Sequence, residues 1–202
     1  QIRPWDVLDP KVLQLFLDTP RHLFAPEEHR DLAYMDLEVP LPHDQVMLAP
    51  KVEARMLQAV DIDESEKVLE IGTGSGFMTA LLAQLAKSVT TVEYFADLSE
   101  SAREKLKDYD NIRFEVGDGA CDWQDGEQYD VIILTGSSAE VPQAMLEKLT
   151  LGGRMIATTG CSPLMETWLI TRVEEHNYER EALFETDMKP LIHCEPKDAF
   201  VF

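Results

Sequence analysis

Residues 68–77, with the sequence VLEIGTGSGF, constrain the fold of this 202-residue chain more than any other stretch. An apolar run ends in a carboxylate and is followed by glycines at alternate positions, Gly72, Gly74 and Gly76. Beyond them the spacing of apolar residues becomes helical. A strand, a tight turn and a helix in this order open nucleotide-binding βαβ units. Glycine suits such a turn, because a Cβ would clash where the backbone approaches a ligand or takes positive φ. The stretch therefore predicts a cofactor site at the turn.

The type of cofactor follows from spacing and charge. A dinucleotide fingerprint has its third glycine one position later, where this chain has Phe77. Glu70 lies just before the first glycine, where it would repel a pyrophosphate and attract the ammonium and sulfonium groups of S-adenosylmethionine. We therefore predict that Glu70, Gly72, Gly74 and Gly76 bind S-adenosylmethionine.

Two further acidic residues follow predicted strands. Glu93 ends a strand at residues 89–93, about 20 residues beyond the first glycine, where an acid can hold a ribose diol. Asp118 follows the next strand, which begins at residue 112, and is predicted to bind the adenine amine. The glycine turn alone is a weak signal, but the turn and two acids at successive strand ends form a strong one.

Composition limits the possible partners. The 38 acidic and 18 basic residues give a net charge of −20, and no stretch gathers enough Lys and Arg to offset phosphate repulsion, so we predict no nucleic-acid partner. The apolar runs are much shorter than a membrane span and no signal-peptide pattern opens the chain. We therefore expect no membrane partner and a cytoplasmic location. Cys121, Cys161 and Cys194 lack metal-ligand spacing, so no metal site is predicted. The oligomeric state is not determined by the sequence.

The alternation of strand and helix patterns predicts the fold. Strands and helices alternate from residue 67 to residue 173, which is typical of an α/β domain with a doubly wound, mostly parallel sheet. The length of the chain favours a single domain over residues 1–202. Within it, residues 1–60 are predicted to form an N-terminal helical and substrate-loop extension, and residues 61–202 a Rossmann-like cofactor-binding core.

Local signals place the other elements. Asp9 is the predicted N-cap, and Pro10 the first turn, of a helix that stops before Pro20. The proline-rich residues 37–50 are predicted to lack regular structure. Other helices are predicted at 51–60, 98–106 and 141–149, the last closed by Gly152 and Gly153, and other strands at 129–135, 154–159, 167–173, 182–186 and 199–202.

Motifs shared with one enzyme family run along nearly the whole chain. They are FAPE at 24–27 with Tyr34, the glycine turn, TVE at 91–93, GDG at 117–119, YDVI at 129–132, Thr135 with Val141 and Pro142, GGR at 152–154 and LITR at 169–172. In these motifs the chain resembles the protein-L-isoaspartate O-methyltransferases, which are class I S-adenosylmethionine-dependent enzymes. The resemblance implies a Rossmann-like methyltransferase fold with S-adenosylmethionine as cofactor. It adds Thr73, Gly119 and Thr135 to the cofactor-binding residues, and it implies methylation of isoaspartyl carboxylates in damaged proteins.

The predicted substrate loop departs from the pattern of that family. The family has a Gln-Thr-Ile-Ser-like core followed by a nearby proline, whereas residues 45–50 here read QVMLAP. Gln45 is retained, but Val46 and Leu48 stand where two hydroxyls are expected. We interpret Gln45, Val46 and Leu48 as the catalytic-site residues of a diverged member. A carboxylate acceptor needs alignment but no general base, whereas for a hydroxyl or amine acceptor His43 would be the natural base.

Several functions therefore remain open at this point. The first is methyl transfer to a protein or peptide substrate that contains isoaspartyl residues. The alternatives are a methyltransferase with a different, unknown acceptor and a cofactor-binding protein without isoaspartyl activity. A nicotinamide-dependent oxidoreductase would share the strand–turn–helix and the ribose acid, but Glu70 and the missing third glycine count against it. Methyl transfer from labelled S-adenosylmethionine would separate an enzyme from a binding protein.

Overall fold

A mostly parallel β-sheet organises the computed structural model, which describes residues 6–195. In chain order the strands are β1 (Val39–Leu41), β2 (Gln45–Met47), β3 (Lys67–Ile71), β4 (Ser88–Glu93), β5 (Ile112–Val116), β6 (Tyr129–Ser138), β7 (Leu149–Cys161), β8 (Leu164–Glu174) and β9 (Asn177–Thr186). The α-helices are α1 (Pro10–Asp18), α2 (Pro50–Val60), α3 (Phe77–Leu85), α4 (Ala96–Lys105), α5 (Gly119–Asp122) and α6 (Gln143–Glu147). Two 3₁₀ segments, Arg21–Leu23 and Glu27–Leu32, follow α1.

The main sheet has the strand order β5-β4-β3-β6-β7-β8-β9. Neighbours from β5 to β7 are parallel, and β8 and β9 are added antiparallel. A parallel connection needs a dozen or more residues, and only Ser162 and Pro163 separate β7 from β8, so an antiparallel hairpin is the available geometry. The predicted doubly wound, mostly parallel sheet is confirmed. No helix in the described part of the chain is both long and apolar enough to cross a membrane.

Both faces of the central strands are buried, as in other parallel sheets that carry helices on each side. Successive side chains of a strand point to opposite faces. In β6, Val131 and Ile133 accordingly join an apolar cluster with residues of α1, α2 and α3. Ile132 and Leu134 join a second cluster with residues of α6. The central strands are therefore covered on both sides, and their ends are left to form a site.

The prediction that residues 37–50 lack regular structure is wrong, because β1 and β2 form an antiparallel hairpin there. Pro40 pairs with Val46 in its register. Proline is tolerated because each strand of a two-stranded sheet is an edge, so the missing N–H removes no bond from a sheet interior. In the turn, His43 and Asp44 have φ of 61° and 55°, a conformation to which His and Asp are better suited than most residues.

The other described elements overlap their predicted ranges, but several have different ends: β6 extends to Ser138, β8 begins at Leu164 and β9 begins at Asn177. Asp9 caps α1 by accepting a hydrogen bond from the Lys11 N–H at 2.8 Å. The predicted helix at 141–149 is only the short α6, and Gly152 and Gly153 lie inside β7 instead of closing a helix. Strand β7 already begins at Leu149, which pairs with Tyr129 of β6. The side chain of Leu149 is fully buried. The strand predicted at 182–186 lies within β9, and the one predicted at 199–202 falls outside the described residues.

Arg21 ties the N-terminal segment to the hairpin and to α2. Its side chain is only 2% exposed and forms an ion pair with the buried Glu53. Its Nε donates to the Ala33 carbonyl at 2.8 Å, and its Nη2 donates to the Leu48 carbonyl. The guanidinium also lies 4.6 Å above the centre of the Phe77 ring. Although Arg21 opposes the effect, burial raises the pKa of Glu53 to about 7. The position of Leu48 is thus fixed by a buried charge.

Candidate cofactor and substrate site

A cavity of about 660 Å³, including its open mouth, lies at the carboxyl ends of β3, β4, β5 and β6. The chain passes from β3 to β4 on one side and returns through β6 on the other, so the cavity lies at the topological switch point where ligands bind in such sheets. The structure brings together here the predicted residues Gln45, Val46, Leu48, Gly72, Gly74, Glu93, Asp118, Gly119 and Thr135.

Gly72 and Gly119, two glycines in the cavity wall, leave no space for a side chain. Gly72 has a φ of 97°, and a Cβ there would overlap the Thr135 hydroxyl oxygen and approach Leu191 to 3.3 Å. The same hydroxyl donates to the Gly72 carbonyl at 2.5 Å. At Gly119 a Cβ would lie 2.7 Å from the Cγ2 of Ile71. The backbone at these two positions therefore forms a cradle that a flat ligand can approach closely.

Glu93 connects the end of β4 to the glycine turn. Its carboxylate accepts hydrogen bonds from the Gly74 N–H at 2.8 Å and the Phe95 N–H at 3.1 Å. The residue is 5% exposed, and burial raises its pKa although these backbone hydrogen bonds oppose the shift. Each oxygen retains acceptor capacity, since a carboxylate offers about four lone-pair sites. This location, beside the turn and at the wall of the cavity, suits the predicted contact with a ribose diol.

Asp118 follows β5 and is paired with a residue distant in sequence. Its Oδ2 lies 2.6 Å from Nδ1 of His193. His193 has a φ of 63°, and the Tyr94 ring packs edge-on against its ring at 5.5 Å. The acid predicted to bind an adenine amine is therefore held at the cavity wall by the C-terminal segment.

Glu70 does not line this cavity, which corrects its predicted contact with a cofactor cation. Neighbouring strand residues face opposite sides of the sheet, and Ile71, the next residue, is the one in the cavity wall. Glu70 is fully buried, and its Oε2 accepts from the hydroxyls of Thr79 at 2.6 Å and Thr91 at 2.7 Å. Burial raises its pKa to about 8, so the carboxyl is mostly protonated at neutral pH.

This protonation predicts a pH effect on stability that Glu70→Gln should remove. The pKa of Glu70 is about 8 in the folded protein, compared with its ordinary value of 4.5. Between pH 4.5 and pH 8 the carboxyl group is therefore protonated in the folded state but ionised in the unfolded state. Stability from this group is therefore complete below the lower value and is lost as the pH rises towards 8. We expect the free energy of unfolding, measured in urea from pH 5 to 8.5, to decline less in Glu70→Gln than in the unaltered protein. Glu53 and Glu93 also have raised pKa values, but both are present in the two proteins, so the difference between the declines reports mainly on Glu70. Equal declines would contradict the prediction.

Gly76 is absent from the cavity wall, whereas Thr73 lines a small neighbouring cavity that shares Gly72, Gly74 and Thr135 with it. The predicted cofactor contact of Thr73 therefore stays a prediction. The Thr73 hydroxyl is buried and lies 2.6 Å from that of Thr91. Gly76 caps α3 with a φ of 84°, and a Cβ there would lie 3.0 Å from the Cβ of Ala102. The glycine at this position is thus needed for the close packing of α3 against α4.

His43, the candidate base, is also absent from the cavity wall. Its ring stacks on Phe95 at 4.2 Å, and its Nε2 lies 2.8 Å from the carboxylate of Asp97. The contact joins the tip of the hairpin to the first turn of α4. The structure therefore gives His43 a part in holding the hairpin over the site.

One wall of the cavity was not predicted from the sequence. It is formed by residues 189–192, which run beside the end of β6. The Ser137 N–H donates to the Lys189 carbonyl at 2.9 Å, and the Leu191 N–H donates to the Ser137 carbonyl at 2.9 Å. The Ser137 hydroxyl donates to the Met188 carbonyl at 2.7 Å. These contacts join residues about fifty positions apart, and no glycine pattern or periodicity in residues 187–193 indicates them.

Comparisons with known proteins agree with this geometry. The family model described as protein-L-isoaspartate(D-aspartate) O-methyltransferase matches residues 4–191. A protein-L-isoaspartate O-methyltransferase of Dictyoglomus turgidum is 42% identical over 183 residues, which cover 90% of this chain and 83% of the relative. A protein-L-isoaspartate O-methyltransferase of Syntrophus aciditrophicus is 38% identical over 177 residues, which cover 87% of this chain and 81% of the relative. Among solved structures, a Plasmodium falciparum chain in complex with S-adenosyl-L-homocysteine superposes with a TM-score of 0.82 over 94% of each chain. At 19% identity it supports the fold alone.

Proposed function

The chain belongs to the protein-L-isoaspartate(D-aspartate) O-methyltransferase family, and from that premise we propose that it methylates isoaspartyl carboxylates of damaged proteins with S-adenosylmethionine. The observation that carries this proposal is a single cavity that joins the glycine cradle and Glu93 to the substrate hairpin. The cradle suits a flat nucleoside, and Glu93 suits its ribose. The hairpin residues Gln45, Val46 and Leu48 line the same cavity, where an acceptor would lie against the cofactor.

The reaction requires positioning more than acid–base chemistry. S-adenosylmethionine, when bound, supplies an electrophilic methyl group. Gly72, Glu93 and Asp118 would hold it, and it would supply this methyl group to the substrate carboxylate. Because that carboxylate is already ionised at neutral pH, no residue of the chain would have to accept a proton. The protein therefore has to align the carboxylate and shield it from water. The absence of His43 from the cavity wall is consistent with a reaction that needs no base.

The side chains of the substrate hairpin shape the acceptor end of the cavity. Leu48 is 5% exposed, and its carbonyl is held by Arg21. A hydrogen bond within the hairpin positions the side chain of Gln45, whose Nε2 donates to the His43 carbonyl at 3.0 Å. Val46 and Leu48 present apolar surface at the cavity, which helps to exclude water but offers no side-chain donor to a carboxylate.

The direct test uses paired peptides. The purified chain, labelled S-adenosylmethionine and either an isoaspartyl peptide or its normal aspartyl counterpart are incubated, and labelled methanol is measured after hydrolysis of the ester. We expect methanol from the isoaspartyl peptide alone. Failure to methylate either peptide by a folded chain that binds S-adenosyl-L-homocysteine would exclude this acceptor. Equal methylation of both peptides would exclude the proposed specificity.

Restoring hydroxyls to the hairpin should increase activity. In Val46→Thr/Leu48→Ser each hydroxyl can donate to the substrate carboxylate, and a hydrogen bond to a charged group contributes about 1.5–3 kcal/mol. We expect kcat/KM for the isoaspartyl peptide to rise by about tenfold or more if one such bond forms in the transition state. The matched control is Val46→Ala/Leu48→Ala, which enlarges the cavity without adding donors. If the two double variants have equal kcat/KM, hydroxyl donation is not the cause.

A further inference from the structure

Lys189 is the only cationic side chain among the described residues that line the cavity. The acids in the same wall are Glu93 and Asp118. The lysine comes from the C-terminal wall, and its own carbonyl accepts from the Ser137 N–H, so its backbone is fixed to the end of β6. A positive charge is therefore held at a defined place in an otherwise acidic site.

The side chain of Lys189 reaches the substrate hairpin. Its Nζ lies 2.6 Å from Oδ2 of Asp44 in the hairpin turn, next to Gln45. The lysine side chain is 33% exposed, whereas that of Asp44 is 93% exposed. An ammonium group carries three donors, and Asp44 accepts from one of them. The contact thus holds the ammonium group beside the hairpin turn, and the next residue, Gln45, lines the cavity together with Lys189.

Binding of a carboxylate substrate in this cavity would be favoured by a positive charge. An isoaspartyl carboxylate that enters this cavity meets Glu93 and Asp118 in a chain of net charge −20, and like charges in a poorly hydrated site repel strongly. Val46 and Leu48 offer no side-chain hydrogen bond to compensate. An ammonium group supplies both an opposite charge and charge-assisted hydrogen bonds.

We propose that Lys189 binds the carboxylate of the isoaspartyl substrate and replaces the hydroxyl donors that the hairpin lacks. This inference rests on the proposed function and assigns the recognition of the acceptor to a residue outside the hairpin. Asp44 is a counterion of the ammonium group before the substrate arrives, and it competes with the substrate carboxylate for that group.

The test compares Lys189→Met with the unaltered protein. We expect KM for the isoaspartyl peptide to rise at least tenfold, with a smaller change in kcat. Calorimetry should give an unchanged affinity for S-adenosyl-L-homocysteine, which also shows that the variant is folded. Lys51→Met is the matched control, because Lys51 is likewise 33% exposed and ion-paired, with Asp36 at 2.9 Å, but lies outside the cavity wall. We expect Lys51→Met to leave KM unchanged.

The variant Asp44→Asn distinguishes substrate binding by Lys189 from an ion pair that only stabilises the hairpin. Asp44→Asn leaves Glu38, a second carboxylate near Lys189, in place. If Lys189 binds the substrate, this variant should have an unchanged or a lower KM. If the ion pair merely holds the hairpin, Asp44→Asn should be impaired as much as Lys189→Met, and this outcome would overturn the proposal. A loss of S-adenosyl-L-homocysteine affinity in Lys189→Met that equals the rise in KM would also overturn it, because the bound carboxylate would then be that of the cofactor.

Failure of this inference can be told apart from failure of the proposed function. If the unaltered chain does not methylate the isoaspartyl peptide, both are wrong. If the unaltered chain is active and Lys189→Met has the same KM, only the role of Lys189 is wrong.

Discussion

Gly72→Ala should weaken the binding of S-adenosyl-L-homocysteine at least ~100-fold, which corresponds to about 2.7 kcal/mol. The φ of 97° places a non-glycine residue in a strained region, which costs about 1–3 kcal/mol. The new Cβ would also overlap the Thr135 hydroxyl, which now donates to the Gly72 carbonyl. Relief of the overlap must move either the turn or the end of β6, and both are walls of the cavity.

Gly152→Ala controls for backbone strain alone. Gly152 has a φ of 80°, lies in β7, and a Cβ there would meet no atom within 4 Å. Both variants should lose some thermal stability, but only Gly72→Ala should lose affinity in calorimetry. Equal affinities in the two variants would show that the glycine turn is not the cofactor cradle.

Arg21→Met should destabilise the fold by about 3–5 kcal/mol, because it leaves a buried carboxylate without its partner. Glu53 is 3% exposed, and the Leu48 carbonyl would lose its guanidinium donor as well. The pKa of Glu53 is already raised by burial, and the loss of a neighbouring positive charge would raise it further. A folded-state pKa above the unfolded value means that stability is lost as the pH rises. The deficit, measured by urea unfolding, should therefore be smaller at pH 5 than at pH 8.

Arg103→Met is the matched control for this second prediction. Arg103 also lies near a carboxylate, with Nε 3.7 Å from Glu100, and over an aromatic ring, that of Phe114 at 5.2 Å. Its side chain is 53% exposed, and surface ion pairs contribute only about 0–1 kcal/mol. Arg21→Met/Glu53→Gln should recover part of the loss, because no buried charge remains. Equal stabilities of Arg21→Met and Arg103→Met would contradict the importance of the buried pair.

The part of the cavity wall that we assign to the cofactor was largely predictable because its signals are local. A glycine turn after an apolar run, and acids after two successive strands, place Gly72, Glu93 and Asp118 at one edge of a parallel sheet without knowledge of distant contacts. The choice of Glu70 failed for a different reason. Both faces of β3 are buried, so the apolar pattern does not reveal which residues point to the ligand.

The acceptor side depended on contacts between distant residues. Pro40 argues against a strand unless the strand is an edge, and only the pairing with β2 makes it one. The wall at residues 189–192 depends on Ser137, and the charge of Lys189 becomes informative only once the fold brings it to Asp44. Neither the hydropathy nor the spacing of residues 187–193 signals such pairing.

The attachment of residues 188–191 to the end of β6 has a consequence for biosynthesis. Translation delivers the hairpin, the glycine turn and β6 before this segment. A nascent chain that ends before residue 188 therefore lacks one wall of the cavity. Because a ligand stabilises only the states that bind it, we expect the cofactor to stabilise the domain mainly after residues 188–191 have left the ribosome.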